Sequence, residues 1–238
     1  EVMAAIQPNT KYIVINEPYN PAGTLMKPKV QLALKNIASD HGIYIMCDEV
    51  YRLLEHNPDD RLPAMADFYE RGLSCVTLSK PWGGCGISIG WIACQDLTIL
   101  DKLKDVQYFG TACPARVSEI QAIMTLKLSE RILQRNITII LHNKKLLEKF
   151  IDDYNDLFEW IPPTAGAIVA IKFKGPLTSH ELGDRLAASG IGIKPAYCFC
   201  ENVTPENDYF RVGFGESIMP AALDAFRDFV ETYKHEWR

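Results

Sequence analysis

Lys80 lies where an apolar segment ends in hydroxyl residues and is followed at once by chain-breaking residues. The segment is Val76-Thr77-Leu78-Ser79-Lys80, and Pro81-Trp82-Gly83-Gly84 comes next. Because a lysine amine forms a covalent bond with carbonyl compounds, a lysine on a rigid strand end is suited to carry a cofactor. Strands that lead into glycine-rich loops also bind phosphate groups in α/β proteins. The alternative is a Ser-Lys pair in a surface turn with no chemical role.

Other side chains that can bind a small molecule also follow predicted strands. Asn20 comes after the first predicted strand, Asp48 and Tyr51 after the second, and Lys80 after the third. Since ligands in open α/β sheets bind beyond the carboxyl ends of parallel strands, these groups are predicted to converge. Each also has a simpler explanation. Asp48 could cap a helix beginning near Glu49, Tyr51 could be a core residue, and Asn20 could form a turn before proline.

The segments that must position these residues alternate between strands and helices. Strands are predicted at 11–16, 43–47, 75–79 and 87–94, and a helix at 29–41 that Gly42 ends. This alternation predicts an α/β fold with a mostly parallel sheet flanked by helices. Residues 115–154 have helical spacing throughout and predict two helices, with a change of character near Asn136.

The composition changes after Pro162-Pro163. Strands are predicted at 167–173, 191–195 and 209–214, and helices at 179–189 and 220–235. We therefore expect two domains: residues 1–145, a large α/β domain with an interdomain helix, and residues 146–238, a smaller α+β domain.

Four motifs carry a resemblance to a known family. They are Asn-Pro-x-Gly at 20–23, Asp-x-x-Tyr at 48–51, Ser79-Lys80, and the segment YFRVGF at 209–214. In order and spacing they resemble the class I/II aminotransferases, the fold-type I enzymes that depend on pyridoxal 5'-phosphate. The resemblance covers essentially the whole chain. It implies a fold-type I large domain with a smaller C-terminal domain, and a homodimer.

The resemblance also implies how the cofactor is held. Lys80 would form the Schiff base with pyridoxal 5'-phosphate and move the proton at the substrate Cα. Asp48 would pair with the pyridine nitrogen and keep the ring protonated, so that the ring accepts electrons. Tyr51 and Asn20 would hydrogen-bond the 3-oxygen of the ring.

Hydroxyls and a guanidinium complete the implied site. Thr77 and Ser79 match positions whose hydroxyls bind the cofactor phosphate. Arg211 would bind the substrate α-carboxylate through its planar fork, and Asn20 would also bind the substrate. A simpler explanation for Arg211 is an ion pair with Glu216 or with another surface acid. Where the family has an arginine for the phosphate, this sequence has Ser88, which can donate a hydrogen bond but supplies no charge.

The first residues, Glu1 to Ile6, have the pattern of a helix interior without a start methionine or a cap. We expect a chain truncated at its N-terminus. The family's glycine-rich phosphate loop and its ring-stacking aromatic are therefore not assigned here.

Composition narrows the possible partners. The net charge of −5 argues against nucleic acid and against an anionic membrane surface, and no apolar run is long enough to cross a membrane.

Seven cysteines without a CxxC pair indicate reduced thiols and a cytoplasmic location. The histidines show no metal-ligand spacing. The glycines at 84, 86 and 90 are spaced rather like a dinucleotide-binding motif, but a predicted strand follows them instead of a helix.

The leading hypothesis is an aminotransferase that moves an amino group from an amino acid to a 2-oxo acid. A second is another reaction of the same cofactor: elimination at carbon–sulfur bonds, cyclisation or oxidation. The shared residues cannot separate these reactions, because the cofactor performs the chemistry in all of them. A third, from a different class, is a non-catalytic, aminotransferase-like effector-binding domain.

Overall fold

The computed structural model describes residues 1–237 of the chain. The strands are β1 (Tyr12–Asn16), β2 (Tyr44–Asp48), β3 (Gly72–Thr77), β4 (Gly90–Cys94), β5 (Phe158–Trp160), β6 (Ile168–Phe173) and β7 (Tyr209–Gly213). The α-helices are α1 (Val2–Ala5), α2 (Pro28–Asp40), α3 (Met65–Phe68), α4 (Leu97–Gly110), α5 (Arg116–Lys127), α6 (Ser129–Asp153), α7 (Ser179–Ala188) and α8 (Met219–Trp237).

Two compact units account for these elements. The first comprises Glu1–Tyr19 and Leu25–Gln134, and the second comprises Asn20–Thr24 and Arg135–Arg238. The predicted division into domains 1–145 and 146–238 stays a proposal.

The first unit contains a four-stranded sheet in the order β1-β2-β3-β4. The first three strands are parallel, and β4 is antiparallel to β3. Alternate residues of β2 are buried, among them Ile45 and Cys47, and they form a core with Leu34 and Ala38 of α2. Helix α2 begins with Pro28 in its first turn, and Gly42 follows its end with a φ of +64°. The predicted α/β class is confirmed.

The second unit contains an antiparallel sheet in the order β5-β6-β7. Its core is aromatic: the ring centroids of Phe150 and Phe226 are 4.9 Å apart, and those of Phe158 and Phe226 are 5.6 Å apart. Helix α7 begins with a capping box, in which Thr178 and Glu181 each bond the other's backbone N–H.

Some predicted boundaries are wrong for local reasons. Strand β4 begins at Gly90 and not at residue 87, because Cys85–Ile87 form a short 3₁₀ helix that ends at Ser88. The two helices between 115 and 154 part at Leu128 and not near Asn136, since the Leu128 N–H bonds back to the carbonyls of Met124 and Thr125.

Three elements are not predicted from the sequence, and one predicted strand does not form. The three are helices α3 and α4 and strand β5. Residues 191–195 form no strand; within them Lys194 makes an isolated bridge to Arg211.

Candidate active site

Asp48 is the last residue of β2, and its carboxylate is partly buried. Its Oδ1 accepts a hydrogen bond from the Val50 N–H at 3.1 Å, which stabilises a turn. No helix begins at Glu49, so the helix-cap explanation for Asp48 is wrong. On the neighbouring strand, Asn16 donates to the Asp48 carbonyl at 2.9 Å. Among residues 1–237 the second carboxylate oxygen of Asp48 has no hydrogen-bond partner, so it is available to a ligand.

Tyr51 lies in the turn that follows β2. Its side chain is 7% exposed and belongs to the buried apolar surface of the first unit. This burial agrees with the simpler explanation, a core residue. It leaves the proposed bond to a ring oxygen as a prediction.

Lys80 follows β3, the strand beside β2. The two strands are parallel, with Asp48 opposite Cys75, so their carboxyl ends lie at the same edge of the sheet. Thr77 Oγ1 accepts a hydrogen bond from the Ser79 N–H at 3.3 Å. Lys80 is exposed, and within the described part of the chain its Nζ has no hydrogen-bond or ion-pair partner. An amine in this setting is accessible to an incoming carbonyl compound.

The loop after Lys80 is anchored by Trp82. The indole packs with Leu78 and Ala122, and its N–H donates to Ser129 Oγ at 2.7 Å. The Gly84 N–H bonds to the Leu78 carbonyl at 2.9 Å, which closes the loop back onto the strand end. The backbone that carries Lys80 is thus fixed at both ends, although much of the loop is exposed.

The acid next to Asp48 has a structural role. Glu49 is 3% exposed, and its Oε1 accepts hydrogen bonds from the Met65 N–H and the Ser74 hydroxyl, both at 2.7 Å. Its other oxygen lies 3.7 Å from Arg52. The two adjacent carboxylates therefore differ in role. Glu49 connects the sheet to α3 through its hydrogen bonds, and Asp48 keeps one oxygen without a hydrogen bond in the described chain.

A further acid, Glu17, is partly buried and lies near Glu49 and Glu55. Glu17 Oε1 accepts a hydrogen bond from the Met26 N–H at 2.8 Å. Burial raises the pKa of Glu17 to about 7; the Met26 bond opposes this rise, and the charges of Glu55 and Glu49 add to it. The carboxyl group therefore titrates near neutral pH.

In the second unit, Arg211 on β7 is held by two side chains. Its guanidinium donates to Asn20 Oδ1 at 2.9 Å and lies 4.8 Å from the centroid of the Phe199 ring. Within residues 1–237 it forms no salt bridge to Glu216, so that explanation is wrong. The chemistry of a carboxylate receptor is present: a planar cation held in a fixed orientation.

Asn20 is fixed by the turn that contains it. Gly23 has a φ of +68°, and a side chain there would collide with the carbonyls of Ile168 and Ala165. The Gly23 carbonyl in turn accepts hydrogen bonds from the Thr164 and Ala165 N–H groups. The Asn-Pro-x-Gly motif is therefore a structural requirement of the second unit as well as the source of the amide that binds Arg211.

The structure thus divides the predicted residues between its two units. Asp48, Tyr51, Thr77, Ser79 and Lys80 belong to the first unit, and Asn20 and Arg211 belong to the second. Sequence reasoning did not single out the loop residue Phe199, which contacts Arg211, or the anchoring role of Trp82. Neither residue lies in a periodic pattern that would have marked it.

The comparison with known families decides the assignment. The family profile described as "Aminotransferase class I and II" matches residues 1–224. The chain belongs to this family. The cofactor of the family is pyridoxal 5'-phosphate, and the predicted fold-type I architecture is confirmed.

Individual relatives agree with the family. A PLP-dependent aminotransferase from Streptococcus suis 89-1591 is 27% identical with a TM-score of 0.87, over 98% of this chain and 60% of that one. The PLP-dependent cyclase OrfR is 22% identical with a TM-score of 0.82, over 97% of this chain and 62% of that one. An aspartate aminotransferase from Musicola paradisiaca is 22% identical over 97% of this chain and 58% of its own length. The chain thus spans about three-fifths of the length of each relative.

The residues of the first unit fit most of pyridoxal 5'-phosphate. Asp48 has a free oxygen for the ring nitrogen, Lys80 has a free Nζ for the aldehyde, and Thr77 and Ser79 have hydroxyls for the phosphate. The family's phosphate-binding arginine has no counterpart in this part of the chain, since the sequence has no arginine between Arg71 and Arg116. Ser88, at the position of the family's arginine, is exposed and has a φ of 54°.

The described residues contain neither a membrane-spanning helix nor a metal-binding group of side chains. Among residues 1–237, no helix combines the length and the apolar character that a membrane span needs. In the same residues, no group of three His, Cys, Asp or Glu side chains is arranged to hold a metal ion.

Proposed function

We propose that this chain acts as a pyridoxal 5'-phosphate-dependent aminotransferase that moves an amino group from an amino acid to a 2-oxo acid. The observation that carries the proposal is that Asp48 and Lys80 lie at the same edge of the sheet. Asp48 ends one strand and Lys80 follows the adjacent parallel strand. Within the described chain, each has a polar atom that makes no hydrogen bond or ion pair. Substrates that are small amino and 2-oxo acids agree with the family.

Each residue would have a limited task. The cofactor, when bound, supplies the electron-accepting ring that amino-group transfer requires. Lys80 would hold the cofactor through Nζ and then move the proton at the substrate Cα. Asp48 would accept a hydrogen bond from the ring nitrogen and keep that nitrogen protonated.

The remaining residues would bind and orient. Tyr51 and Asn20 would donate hydrogen bonds to the ring oxygen, and Thr77 and Ser79 would donate to the phosphate. Arg211 would bind the α-carboxylate of the substrate, oriented by its bond to Asn20. We also propose a homodimer, as in the family, and a cytoplasmic location.

Attachment of the cofactor is the first test. The purified chain, incubated with pyridoxal 5'-phosphate and reduced with borohydride, should carry the cofactor mass on the peptide containing Lys80. Lys80→Ala should abolish this label and the visible absorbance band. The exposed Lys102→Ala should change neither. A label on other lysines only, or one that survives Lys80→Ala, would refute the role of Lys80.

A second candidate function is another reaction of the same cofactor, supported by the likeness to a PLP-dependent cyclase. The discriminating measurement is the fate of the amino nitrogen. Transfer of ¹⁵N from a labelled amino acid to an added 2-oxo acid would support the aminotransferase. Nitrogen retained in a cyclic product, or released as ammonia, would favour cyclisation or elimination instead.

A further inference from the structure

The small sheet of the second unit has one buried face and one open face. On β6, Val169, Ile171 and Phe173 are buried, while Ala170 and Lys172 between them are only partly buried. Successive residues of a strand point to opposite faces. Arg211 lies opposite Ala170 in the register of β6 and β7, so both belong to the open face. Phe210, next to Arg211, is fully buried on the other face.

Lys194 extends this open face beyond β7. Its N–H donates to the Arg211 carbonyl at 3.1 Å, and the Arg211 N–H donates to the Lys194 carbonyl at 2.7 Å. Reciprocal bonds of this kind define a hydrogen-bonded antiparallel pair, in which the Cα atoms are about 5.5 Å apart and both side chains are on the same face. A lysine and an arginine are therefore direct neighbours there. Ala170, on the other side of Arg211, contributes only a methyl group.

The two cations have no acidic partner in the described part of the chain. Arg211 contacts the amide of Asn20 and the ring of Phe199, and both are uncharged. The Lys194 side chain is exposed and forms no salt bridge or hydrogen bond with residues 1–237. Like charges placed directly opposite each other destabilise a sheet. An anion bound between them would remove that penalty.

Lys172 on the same face provides the contrast. It lies opposite Glu159 in the register of β5 and β6, and its Nζ is 5.5 Å from the Tyr209 ring centroid. An acidic residue therefore lies opposite Lys172 in the sheet, and its ammonium group contacts an aromatic ring. Lys194 and Arg211 are the pair on this face whose charges are left to a ligand.

We propose that Lys194 is a specificity-determining residue that binds a second anionic group of the substrate whose α-carboxylate is held by Arg211. The substrate class is then amino acids with an acidic side chain, and their 2-oxo acids. This inference rests on the proposed role of Arg211. It adds a contact that the motifs do not contain, since Lys194 lies outside all four of them.

The test compares substrates that differ in charge but hardly in shape. The kcat/KM values are measured for two pairs, glutamate with glutamine and aspartate with asparagine. The pair that contains the substrate with the higher kcat/KM is used for the comparison. The wild type should favour the acidic member. Lys194→Met keeps the length and the backbone bonds, and should lower kcat/KM for the acid about 10- to 100-fold, mainly through KM. The kcat/KM for the amide should fall by only about twofold, since a neutral carbonyl oxygen binds an ammonium group more weakly than a carboxylate does.

Two matched variants serve as controls. Lys194→Arg should retain the acid preference, because it keeps the charge. Lys172→Met should leave the acid-to-amide ratio unchanged, although it removes a lysine from the same face. A ratio that Lys194→Met does not alter, or a wild type that favours the amide, would overturn the proposal.

A binding measurement separates this inference from the proposed function. Calorimetry compares glutarate, a diacid, with valerate, its monoacid counterpart, and needs no turnover. Lys194→Met should weaken the binding of glutarate about 10-fold or more and leave the binding of valerate unchanged. Arg211→Met should weaken the binding of both ligands. If the chain fails to transfer amino groups yet shows this pattern, the proposed function fails and the two-cation site stands. Equal binding of glutarate to wild type and Lys194→Met refutes the site.

Discussion

Replacing Glu17 with glutamine should raise the stability of the protein at pH 8 and have a much smaller effect at pH 5. The pKa of Glu17 is raised from 4.5 to about 7, first by burial and then by the charges of Glu55 and Glu49. Below pH 4.5 the group is protonated in both the folded and the unfolded state, so it contributes no difference. As the pH rises from 4.5 through 7, the unfolded chain loses this proton first and the folded state loses relative stability.

The size of the effect follows from the shift. One pKa unit corresponds to 1.36 kcal/mol, so the full shift would cost the folded state about 3 kcal/mol by pH 8. Because Glu17 is only partly buried, solvent screening reduces this cost to about 2 kcal/mol at pH 8 and about 0.5 kcal/mol at pH 5. Glutamine retains the oxygen that accepts the Met26 N–H, at 2.8 Å in the wild type, but carries no charge to desolvate. The free energy of unfolding of Glu17→Gln should therefore exceed that of the wild type by about 2 kcal/mol at pH 8 and by about 0.5 kcal/mol at pH 5.

The assay is urea unfolding followed by tryptophan fluorescence at several pH values between 5 and 8. The difference between the two proteins isolates Glu17, because every other titrating group is common to both. Glu148→Gln, an exposed position on α6, is the matched control and should follow the wild type at every pH. Identical profiles for wild type and Glu17→Gln, or a variant less stable than wild type at pH 8, would show that Glu17 is not a buried acid of raised pKa.

Three further substitutions test other contacts. Phe199→Leu should raise KM for the amino acid about 2- to 5-fold at unchanged kcat, since it removes the cation–π contact of Arg211; Phe199→Tyr should not, and an equal fall in kcat would contradict this role. Trp82→Phe should lower the free energy of unfolding by about 1 kcal/mol, and adding Ser129→Ala should cost little more, because both remove the same bond; full additivity would argue against it. Ser88→Gly should stabilise the protein by about 1 kcal/mol in thermal unfolding, since φ is 54° there; a loss of stability would refute strain.

The chemistry-bearing positions could be predicted because their signals are local. Asp48 and Lys80 each follow a short apolar run and precede residues that break a strand, and the structure places both at the ends of neighbouring parallel strands. The Asn-Pro-x-Gly turn is equally local, because a φ of +68° at Gly23 excludes other residues without strain. The antiparallel direction of β4 left no such signal, since a buried strand has the same pattern in either direction.

The contacts of each side chain could not be predicted from the sequence. Asn20 follows β1 in the chain but packs with the second unit, where it bonds Arg211, 191 residues away in sequence. Sequence patterns could not show that Glu49 is buried while Asp48 keeps a free oxygen, or that Lys194 pairs with Arg211. Which residues can do chemistry is decided by local backbone preferences and side-chain type, and the sequence alone determined that. Which of them share a face, a charge or a proton depends on contacts between distant segments, and only the tertiary structure decided it.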